Sequence, residues 1–261
     1  MDLKLTGKTA LILGGSKGIG KGIAGALAAE GVAVALLARG QEALDSAVAE
    51  IEARGGRAIG VAADLGNWPT VESAVASARK QLGPIDILLN NTGGPPPSGV
   101  VGVSAELWET QFRTMVLCLF RVTELVLAEM RARKWGRILN VTSYIVVEPA
   151  TAIGISSTLR SAIHGWAKTL AAETARDGIT VNTLLPGVIA TDRSLRLNSA
   201  AAERQGISVA EALERTARSI PVGRLGTPEE FGAVATVLAS PLAAYVTGSL
   251  IRIDGGLVRA V

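Results

Sequence analysis

Three glycines with a fixed spacing, Gly14, Gly18 and Gly20, lie between an apolar run, Thr9–Leu13, and an alanine-rich helical stretch. In this context Gly14 permits a tight turn, Gly18 lets a pyrophosphate approach the backbone, and Gly20 lets the helix pack closely on the strand. The free N–H groups of the first helical turn and the positive end of the helix then face the phosphates. The pattern predicts a dinucleotide-binding turn; the alternative interpretation is a tight turn without a ligand.

Two basic side chains near this turn bear on which dinucleotide it binds. Arg39 follows the second apolar run, residues 32–38, where an acidic residue would bind the ribose 2′-hydroxyl. A guanidinium suits a 2′-phosphate instead, and Lys17, inside the turn, adds a second positive charge. We therefore predict NADP(H) as the cofactor in preference to NAD(H). The alternative is that both side chains are solvated surface cations.

The turn needs a sheet to position it, and the rest of the chain predicts one. Short apolar runs alternate with longer helical stretches, which is typical of an α/β fold with parallel strands covered by helices on both faces. The predicted strands are residues 9–13, 32–38, 58–63, 85–90, 137–142, 179–185 and 249–253. The predicted helices are residues 18–30, 41–54, 68–82, 106–133, 157–177, 191–219 and 227–240. We predict one doubly wound Rossmann domain over residues 1–261, with a lid-like helical segment at 191–219.

The composition excludes several classes of protein. Hydrophobic residues make up 48% and charged residues 19% of the 261 residues, which excludes a disordered chain. The net charge of +3 comes from scattered basic residues, so no nucleic-acid-binding patch is predicted. No apolar run reaches membrane length or resembles a signal peptide, so we expect a cytoplasmic protein that does not bind membranes. The single cysteine, Cys118, has apolar neighbours, which indicates a core residue, and we predict no metal site.

The glycine spacing, with three residues between the first pair and one between the second, resembles that of the short-chain dehydrogenase/reductase family. Other segments agree with this resemblance, which covers essentially the whole chain: Asn-Asn-Thr-Gly at residues 90–93, Asp64 after the third strand, residues 182–187 ending in Pro-Gly, and residues 248–256. The resemblance implies that further residues contact the cofactor. They are Ser16, Ile19, Asp64, Leu65, Asn91, Thr92, Gly93, Pro186, Gly187, Ile189 and Thr191, the last at the nicotinamide amide.

Members of this family reduce carbonyl groups with a Ser, a Tyr, a Lys and an Asn, and the resemblance implies where these positions fall. Ser143 occupies the serine position after the fifth strand. Ser156 stands thirteen residues further on, where the family has Tyr, and Arg160 stands four residues later, where it has Lys. The Asn position falls on Met115, which we interpret as a core residue. An aliphatic hydroxyl is a far weaker acid than a phenol, but Arg160 can still bind the nicotinamide ribose and, with Ser143, stabilise an oxyanion.

Three interpretations of these positions remain open. In the first, Ser143, Ser156 and Arg160 polarise the substrate oxygen of a small carbonyl compound. An α,β-unsaturated carbonyl would suit this site, because its enolate needs only stabilisation before solvent protonates it; tyrosine-independent members of the family that reduce conjugated systems look like a precedent. In the second, Tyr144 donates a proton to an ordinary ketone, although loop packing explains this residue equally well. In the third, the chain is a catalytically inactive NADP(H)-binding sensor or subunit. The intact cofactor turn favours an enzyme.

Other features lead to weaker expectations. We expect His164, the only histidine, to pack at a helix interface rather than to act as a catalytic acid. Residues 93–98, which include three prolines, form either a rigid wall of the substrate pocket or an ordinary surface loop. Arg193 could meet a substrate carboxylate, although a surface charge is the simpler interpretation. The largely apolar helices at 106–133 and 157–177 predict a homodimer or homotetramer, as in the family.

Overall fold

The computed structural model describes residues 1–260, so Val261, the last residue of the predicted domain, lies outside the described residues. The strands are β1 (Thr9–Leu13), β2 (Ala33–Ala38), β3 (Arg57–Ala62), β4 (Ile87–Asn90), β5 (Gly136–Val141), β6 (Ile179–Pro186) and β7 (Leu250–Ile253). Within these residues they form one parallel sheet in the order β3-β2-β1-β4-β5-β6-β7. The chain builds outward from β1 to β3 and then crosses back to β4, beside β1. This order confirms the predicted doubly wound Rossmann fold.

Helices cover both faces of the sheet. They are α1 (Gly18–Ala29), α2 (Gln41–Glu52), α3 (Trp68–Leu82), α4 (Ala105–Phe112), α5 (Cys118–Ala132), α6 (Gly154–Thr174), α7 (Asp192–Gln205), α8 (Val209–Ser219) and α9 (Pro228–Ala239). Short 3₁₀ turns follow β5, α6 and α9. Across residues 1–260, none of the helices combines the length and apolarity needed to cross a bilayer.

Alternate side chains of each central strand point to opposite faces, and each face packs against its own helices. On β1, Leu11 and Leu13 join a core shared with α3, α5 and α6, whereas Ile12 joins the core shared with α1, α2 and α9. Because both faces are covered, consecutive residues of the strand are apolar rather than alternating with polar ones. Polar side chains that act on a ligand are therefore confined to the ends of the strands.

The structure corrects three predicted elements. The helix expected at 106–133 is not one α-helix, because a π-helical segment, Arg113–Leu117, separates α4 from α5 and places buried Met115 within it. The segment expected at 191–219 is two helices, since α7 ends at Gln205 and is followed by Gly206, whose φ of 64° interrupts the helix. The helix expected to begin at residue 157 begins three residues earlier, at Gly154. The oligomer predicted through the first and third of these segments stays a prediction.

Two glycines allow α1 and α9 to pack closely on one face of the sheet. A β-carbon on Gly232 of α9 would lie 2.7 Å from the carbonyl oxygen of Gly22 on α1. A β-carbon on Gly22 would in turn lie 2.6 Å from Cβ of Pro228. These helices therefore meet backbone to backbone, which brings the C-terminal part of the chain against the helix that carries the glycine turn.

A buried arginine closes the amino-terminal edge of the sheet. Arg137 is 2% exposed and donates hydrogen bonds to the carbonyl oxygens of Gly136, Gly178 and Ser240 at 2.7, 3.1 and 3.3 Å. Its guanidinium also stacks on Trp135, with Cζ 4.5 Å from the ring centroid. Desolvation lowers the pKa of Arg137 to about 10, which leaves it charged at neutral pH. This edge lies opposite the carboxyl ends of the strands, where the glycine turn is found.

Candidate functional site

The glycine turn between β1 and α1 has the backbone geometry that its spacing predicts. Gly14 and Gly18 have φ values of 64° and 55°, in the left-handed region that favours glycine. A β-carbon built on Gly20 would overlap the carbonyl oxygen of Gly14, so α1 begins against the turn itself. The N–H of Gly15 donates to the carbonyl oxygen of Leu37 at 3.2 Å. That hydrogen bond holds the turn beside the end of β2.

The beginning of α1 has the features of an anion site. Lys17 occupies the N-cap position in extended conformation, and its side chain makes no capping hydrogen bond. The first N–H groups of α1 therefore have no side-chain acceptor. Ser16 and Ile19 flank this position and are half-buried, while Lys17 is exposed. The predicted phosphate-binding residues thus share one uncapped helix end.

Asn91 and Thr191 contact the turn from two other segments. The side-chain amide of Asn91, just after β4, donates to the carbonyl oxygens of Leu13 and Gly14 at 3.2 and 3.4 Å. Thr191 caps α7, accepting a hydrogen bond from the N–H of Ser194. Its Cγ2 lies 3.1 Å from where a β-carbon of Gly18 would stand. The two residues implied to contact the cofactor therefore enclose the turn.

An unpaired hydroxyl provides a test of whether a dinucleotide fits this edge. Oγ1 of Thr92 is buried and has no hydrogen-bond partner among residues 1–260, although buried polar groups are normally paired. Gly93, which follows, is exposed. The unpaired hydroxyl, the uncapped end of α1 and the glycine turn lie at the carboxyl ends of the neighbouring strands β1 and β4. The connections that leave these two strands run in opposite directions, and sheets of this kind bind dinucleotides at that point. The residues present fit that group.

The remaining predicted cofactor residues lie around the same edge. Asp64, after β3, is exposed, and its Oδ1 accepts a hydrogen bond from the N–H of Gly66 at 2.9 Å, while Leu65 is half-buried. Arg39 directly follows β2 and is exposed. Through residue 260, neither Arg39 nor Lys17 takes part in an ion pair. Both cations are therefore available to an anionic group at the end of β2.

The end of β6 connects the sheet to α7. Pro186 is its last residue, and the N–H of Gly187 donates to the carbonyl oxygen of Ile253 at 3.0 Å. A β-carbon on Gly187 would lie 2.7 Å from Cα of Asp254, so the two segments touch. Ile189 is buried. This packing fixes the direction in which the chain runs towards Thr191 and the glycine turn.

Arg160 of α6 is buried between the ends of β4 and β5. It is 8% exposed, and its Nη1 donates to the carbonyl oxygen of Val141 at 3.1 Å. Its Nη2 donates to the carbonyl oxygens of Thr92 and Gly93 at 3.5 and 3.4 Å. Its Nε donates to Oγ of Ser156, one helical turn earlier, at 3.3 Å. The two residues at the implied Lys and Tyr positions are thus joined to each other.

The positive charge of Arg160 has no anionic partner. No carboxylate in residues 1–260 forms an ion pair with it. Desolvation, together with the nearby charge of Arg193, lowers its pKa to about 10. The guanidinium therefore remains charged at neutral pH. An uncompensated buried cation of this kind stabilises any negative charge that develops near it.

Ser143 and Tyr144 follow β5, close to the Val141 carbonyl that Arg160 contacts. Oγ of Ser143 accepts a hydrogen bond from the N–H of Ile145 at 3.4 Å, and Ser143 and Tyr144 are half-buried. Desolvation raises the pKa of Tyr144, and the charge of Glu148 raises it further. Tyr144 is therefore a weaker acid than an ordinary tyrosine, whereas a proton-donating tyrosine needs a cation that lowers its pKa.

His164 lies one turn beyond Arg160 on α6 and contacts a different residue. Its Nε2 is 3.2 Å from Oγ1 of Thr142, and burial lowers its pKa below the ordinary value for histidine. The ring is half-buried and neutral at pH 7. Its hydrogen-bond contact is thus with the end of β5, and the predicted position at a helix interface stays a prediction.

The proline-rich loop after β4 is attached to the beginning of α6. Pro95 is buried, and Ser98 forms an isolated parallel bridge with Ile153. The N–H of Gly154 donates to the carbonyl oxygen of Ser98 at 2.8 Å. The loop therefore has a fixed position beside the helix that carries Ser156 and Arg160, as a wall of a pocket would.

Sequence reasoning missed a buried amide network under this edge. Nδ2 of Asn90 donates to Oδ1 of Asn140 at 2.9 Å and lies 3.1 Å from Oγ1 of Thr123. Asn90 and Asn140 are register partners on β4 and β5. The sequence signal that could have predicted this network is the presence of polar residues at or near the ends of two otherwise apolar strands, β4 and β5. The network links β4, β5 and α5 below the positions of Asn91 and Ser143.

Comparisons with known proteins agree with this geometry. The profile of the family described as "Enoyl-(Acyl carrier protein) reductase" matches residues 14–258. The 3-oxoacyl-(acyl-carrier-protein) reductase of Synechocystis sp. is 36% identical over 97% of this chain and 98% of its own length. The L-sorbose reductase of Gluconobacter frateurii, solved with NADPH and L-sorbose, superposes with a TM-score of 0.94 at 31% identity, covering 100% of both chains. YwfH, an NADPH-dependent reductase involved in bacilysin biosynthesis, has a TM-score of 0.92 at 29% identity over 97% of this chain and 99% of its own.

The fold, the glycine turn and these matches together define the class of protein. The chain belongs to the short-chain dehydrogenase/reductase family and is an NAD(P)-dependent oxidoreductase of that family.

Proposed function

We propose that this chain is an NADP(H)-dependent reductase of a small α,β-unsaturated carbonyl compound that works without a tyrosine proton donor. The observation that carries the proposal is the buried, uncompensated guanidinium of Arg160, bonded to Ser156 and to strand-end carbonyls. When bound, NADPH supplies a hydride to the substrate. The family profile is described by an enoyl reductase activity, which is the reduction of a C=C bond next to a carbonyl group. The relatives named above instead reduce a carbonyl group itself, in a 3-oxoacyl group and in a keto sugar, so they support a carbonyl-containing substrate.

The protein residues act on the substrate oxygen. Hydride addition at the β-carbon of an enone places negative charge on that oxygen as an enolate, and Arg160, Ser143 and Ser156 stabilise it. At an effective dielectric constant of about 20, a unit charge roughly 5 Å from the guanidinium gains about 3 kcal/mol. That energy corresponds to about two orders of magnitude in rate. The α-carbon then takes its proton from solvent, so no acidic side chain is required.

A saturated ketone makes a different demand on the site. Its alkoxide is strongly basic and needs a proton donor close by. Arg160 acts as a hydrogen-bond donor that keeps its charge, and the raised pKa of Tyr144 makes that phenol a weaker proton donor than an ordinary tyrosine. These properties favour conjugate reduction over ketone reduction. They also support assigning Ser143, Ser156 and Arg160, rather than Tyr144, to the chemistry.

A matched pair of substrates tests the proposal. Benzylideneacetone is an enone, and benzylacetone is the saturated ketone with the same skeleton. We expect NADPH oxidation with the first, giving benzylacetone, and no alcohol from the second. In D2O the product should carry solvent deuterium at the α-carbon. At saturating NADPH, Arg160→Gln should lower kcat by about 100-fold, Arg160→Lys should retain most of it, and Tyr144→Phe should leave it unchanged.

Two results would overturn this proposal. Alcohol formation that disappears in Tyr144→Phe would identify an ordinary ketone reductase with Tyr144 as donor. Tight NADPH binding without turnover of either compound would favour the catalytically inactive binding module.

A further inference from the structure

Arg193 lies against the backbone of the turn that follows β4. It is the second residue of α7, and its side chain crosses to Gly94. A β-carbon built on Gly94 would lie 2.8 Å from Cζ and 3.1 Å from Nη1 of Arg193. Because any side chain at position 94 would displace the guanidinium, the glycine makes room for it. Arg193 is an exposed residue whose guanidinium lies against a particular piece of backbone.

Arg160 contacts the same turn from inside the protein. Its Nη2 donates to the carbonyl oxygens of Thr92 and Gly93, the two residues before Gly94. Two guanidinium groups therefore lie against residues 92–94, and Arg160 is buried whereas Arg193 is exposed. They are close enough for the charge of Arg193 to contribute to the lowered pKa of Arg160.

This pair of cations has no counter-charge among the residues that the structure describes. Over residues 1–260, neither Arg160 nor Arg193 forms an ion pair, and Arg193 donates no hydrogen bond to another side chain or carbonyl. Desolvation, and then the charge of Arg196, lowers the pKa of Arg193. Adjacent like charges repel, and an anion bound close to both offsets that repulsion with attraction. A carboxylate also matches the planar, bidentate donor geometry of a guanidinium.

The position of the pair indicates which anion it binds. The pyrophosphate of the cofactor belongs with the turn after β1, where α1 begins. Arg160 instead lies between the ends of β4 and β5, beside the segment that carries Ser143. The geometry points to a carboxylate on the substrate, bound by Arg193 and held in the field of Arg160, so that the substrates are oxo acids with a conjugated double bond. This inference rests on the proposed function for the reacting carbonyl.

A pair of enones that differ at one substituent, a carboxylate or a methyl group, tests the inference. Benzylidenepyruvate carries a carboxylate where benzylideneacetone carries a methyl group. We expect kcat/KM of the wild-type protein to be at least about 100-fold higher for the acid, as for a charge-assisted bidentate contact. Arg193→Gln should lower kcat/KM for the acid by about 100-fold and change that for the neutral enone by less than about threefold. Arg204→Gln removes an exposed charge from the last turn of α7 and should change neither.

Measuring the affinity for the cofactor tests whether Arg193 binds the substrate or an anionic group of NADPH. We expect Arg193→Gln to bind NADPH as the wild type does in a fluorescence titration. If it weakens NADPH binding and leaves the acid-to-enone ratio unchanged, Arg193 serves the cofactor and the inference is wrong. An equal loss for both enones would also contradict it, because a contact with the carboxylate cannot affect the neutral compound.

A binding measurement keeps the inference testable if the proposed chemistry fails. Phenylpyruvate and its neutral analogue phenylacetone can be titrated calorimetrically into the NADPH complex. We expect the wild-type complex to bind phenylpyruvate but not phenylacetone. Loss of that binding in Arg193→Gln, with binding kept in Arg204→Gln, would support the carboxylate site even if neither enone turns over. Absence of phenylpyruvate binding to the wild-type complex would overturn it.

Discussion

Gly20→Ala adds one methyl group where the glycine turn and α1 already touch. The new β-carbon would overlap the carbonyl oxygen of Gly14 and lie 3.0 Å from Nδ2 of Asn91. Both atoms belong to the framework of the turn, so the turn or the helix must move. Overpacking of this kind costs about 1–3 kcal/mol, and the higher helix propensity of alanine offsets about 1 kcal/mol. We expect the free energy of unfolding to fall by about 1 kcal/mol and the Kd for NADPH to rise at least about tenfold.

Gly25→Ala is the matched control, because it makes the same change on the same helix. No atom lies within 4 Å of a β-carbon at Gly25. Alanine there should raise the free energy of unfolding by about 0.5–1 kcal/mol through helix propensity alone. NADPH affinity should not change, since the side chain is remote from the turn.

Urea unfolding and NADPH fluorescence titration measure the two quantities on all three proteins. The reasoning predicts that the two alanine variants move in opposite directions in unfolding and that only Gly20→Ala loses affinity. If Gly20→Ala is instead stabilised like Gly25→Ala and binds NADPH as the wild type does, the reasoning is wrong, because the close approach of the turn and α1 would then not be needed to position the cofactor-binding site.

Two further predictions concern the cofactor and the pH dependence of stability. The wild type should bind NADPH more tightly than NADH. Arg39→Gln should reduce that preference by about tenfold, because a charge-assisted hydrogen bond contributes about that much to affinity. Equal Kd values for the two cofactors in the wild type would contradict the assignment of Arg39. Burial lowers the pKa of His164 in the folded state, so the unfolded state binds more protons as the pH falls below the ordinary histidine pKa of about 6.5. The free energy of unfolding should therefore rise with pH across that window, and His164→Asn should flatten the slope in urea unfolding; an unchanged slope in the variant would assign it to other groups.

Elements defined by local signals could be predicted from the sequence. β1 and α3 occupy the predicted residues because an uninterrupted apolar run defines the strand and Pro69 follows the first residue of the helix. Trp68 begins α3 and the N-cap position belongs to Asn67, whose side chain makes no capping hydrogen bond. The positive φ angles of Gly14 and Gly18 follow from the same local reasoning, since only a turn between strand and helix explains their spacing.

Contacts between distant segments could not be predicted in the same way. The π-helical segment at Arg113–Leu117 follows an ordinary helical pattern, and nothing in its composition marks the extra residue per turn. The seat of Arg193 on Gly94 depends on how α7 lies over the sheet, which no local pattern encodes. Arg160 was predicted as a residue of the site, but its bonds to strand-end carbonyls became visible only when β4, β5 and α6 were brought together.

The buried guanidinium of Arg137 has a consequence for truncated forms of the protein. Its carbonyl partners come from β5 itself, from Gly178 before β6, and from Ser240 at the end of α9. Because Ser240 lies 103 residues after Arg137 in the chain, a truncation that removes Ser240 takes away one of the three carbonyl acceptors of this buried guanidinium. We expect such a truncated chain to be less stable than the whole chain, since a buried charged donor that loses its acceptor is costly.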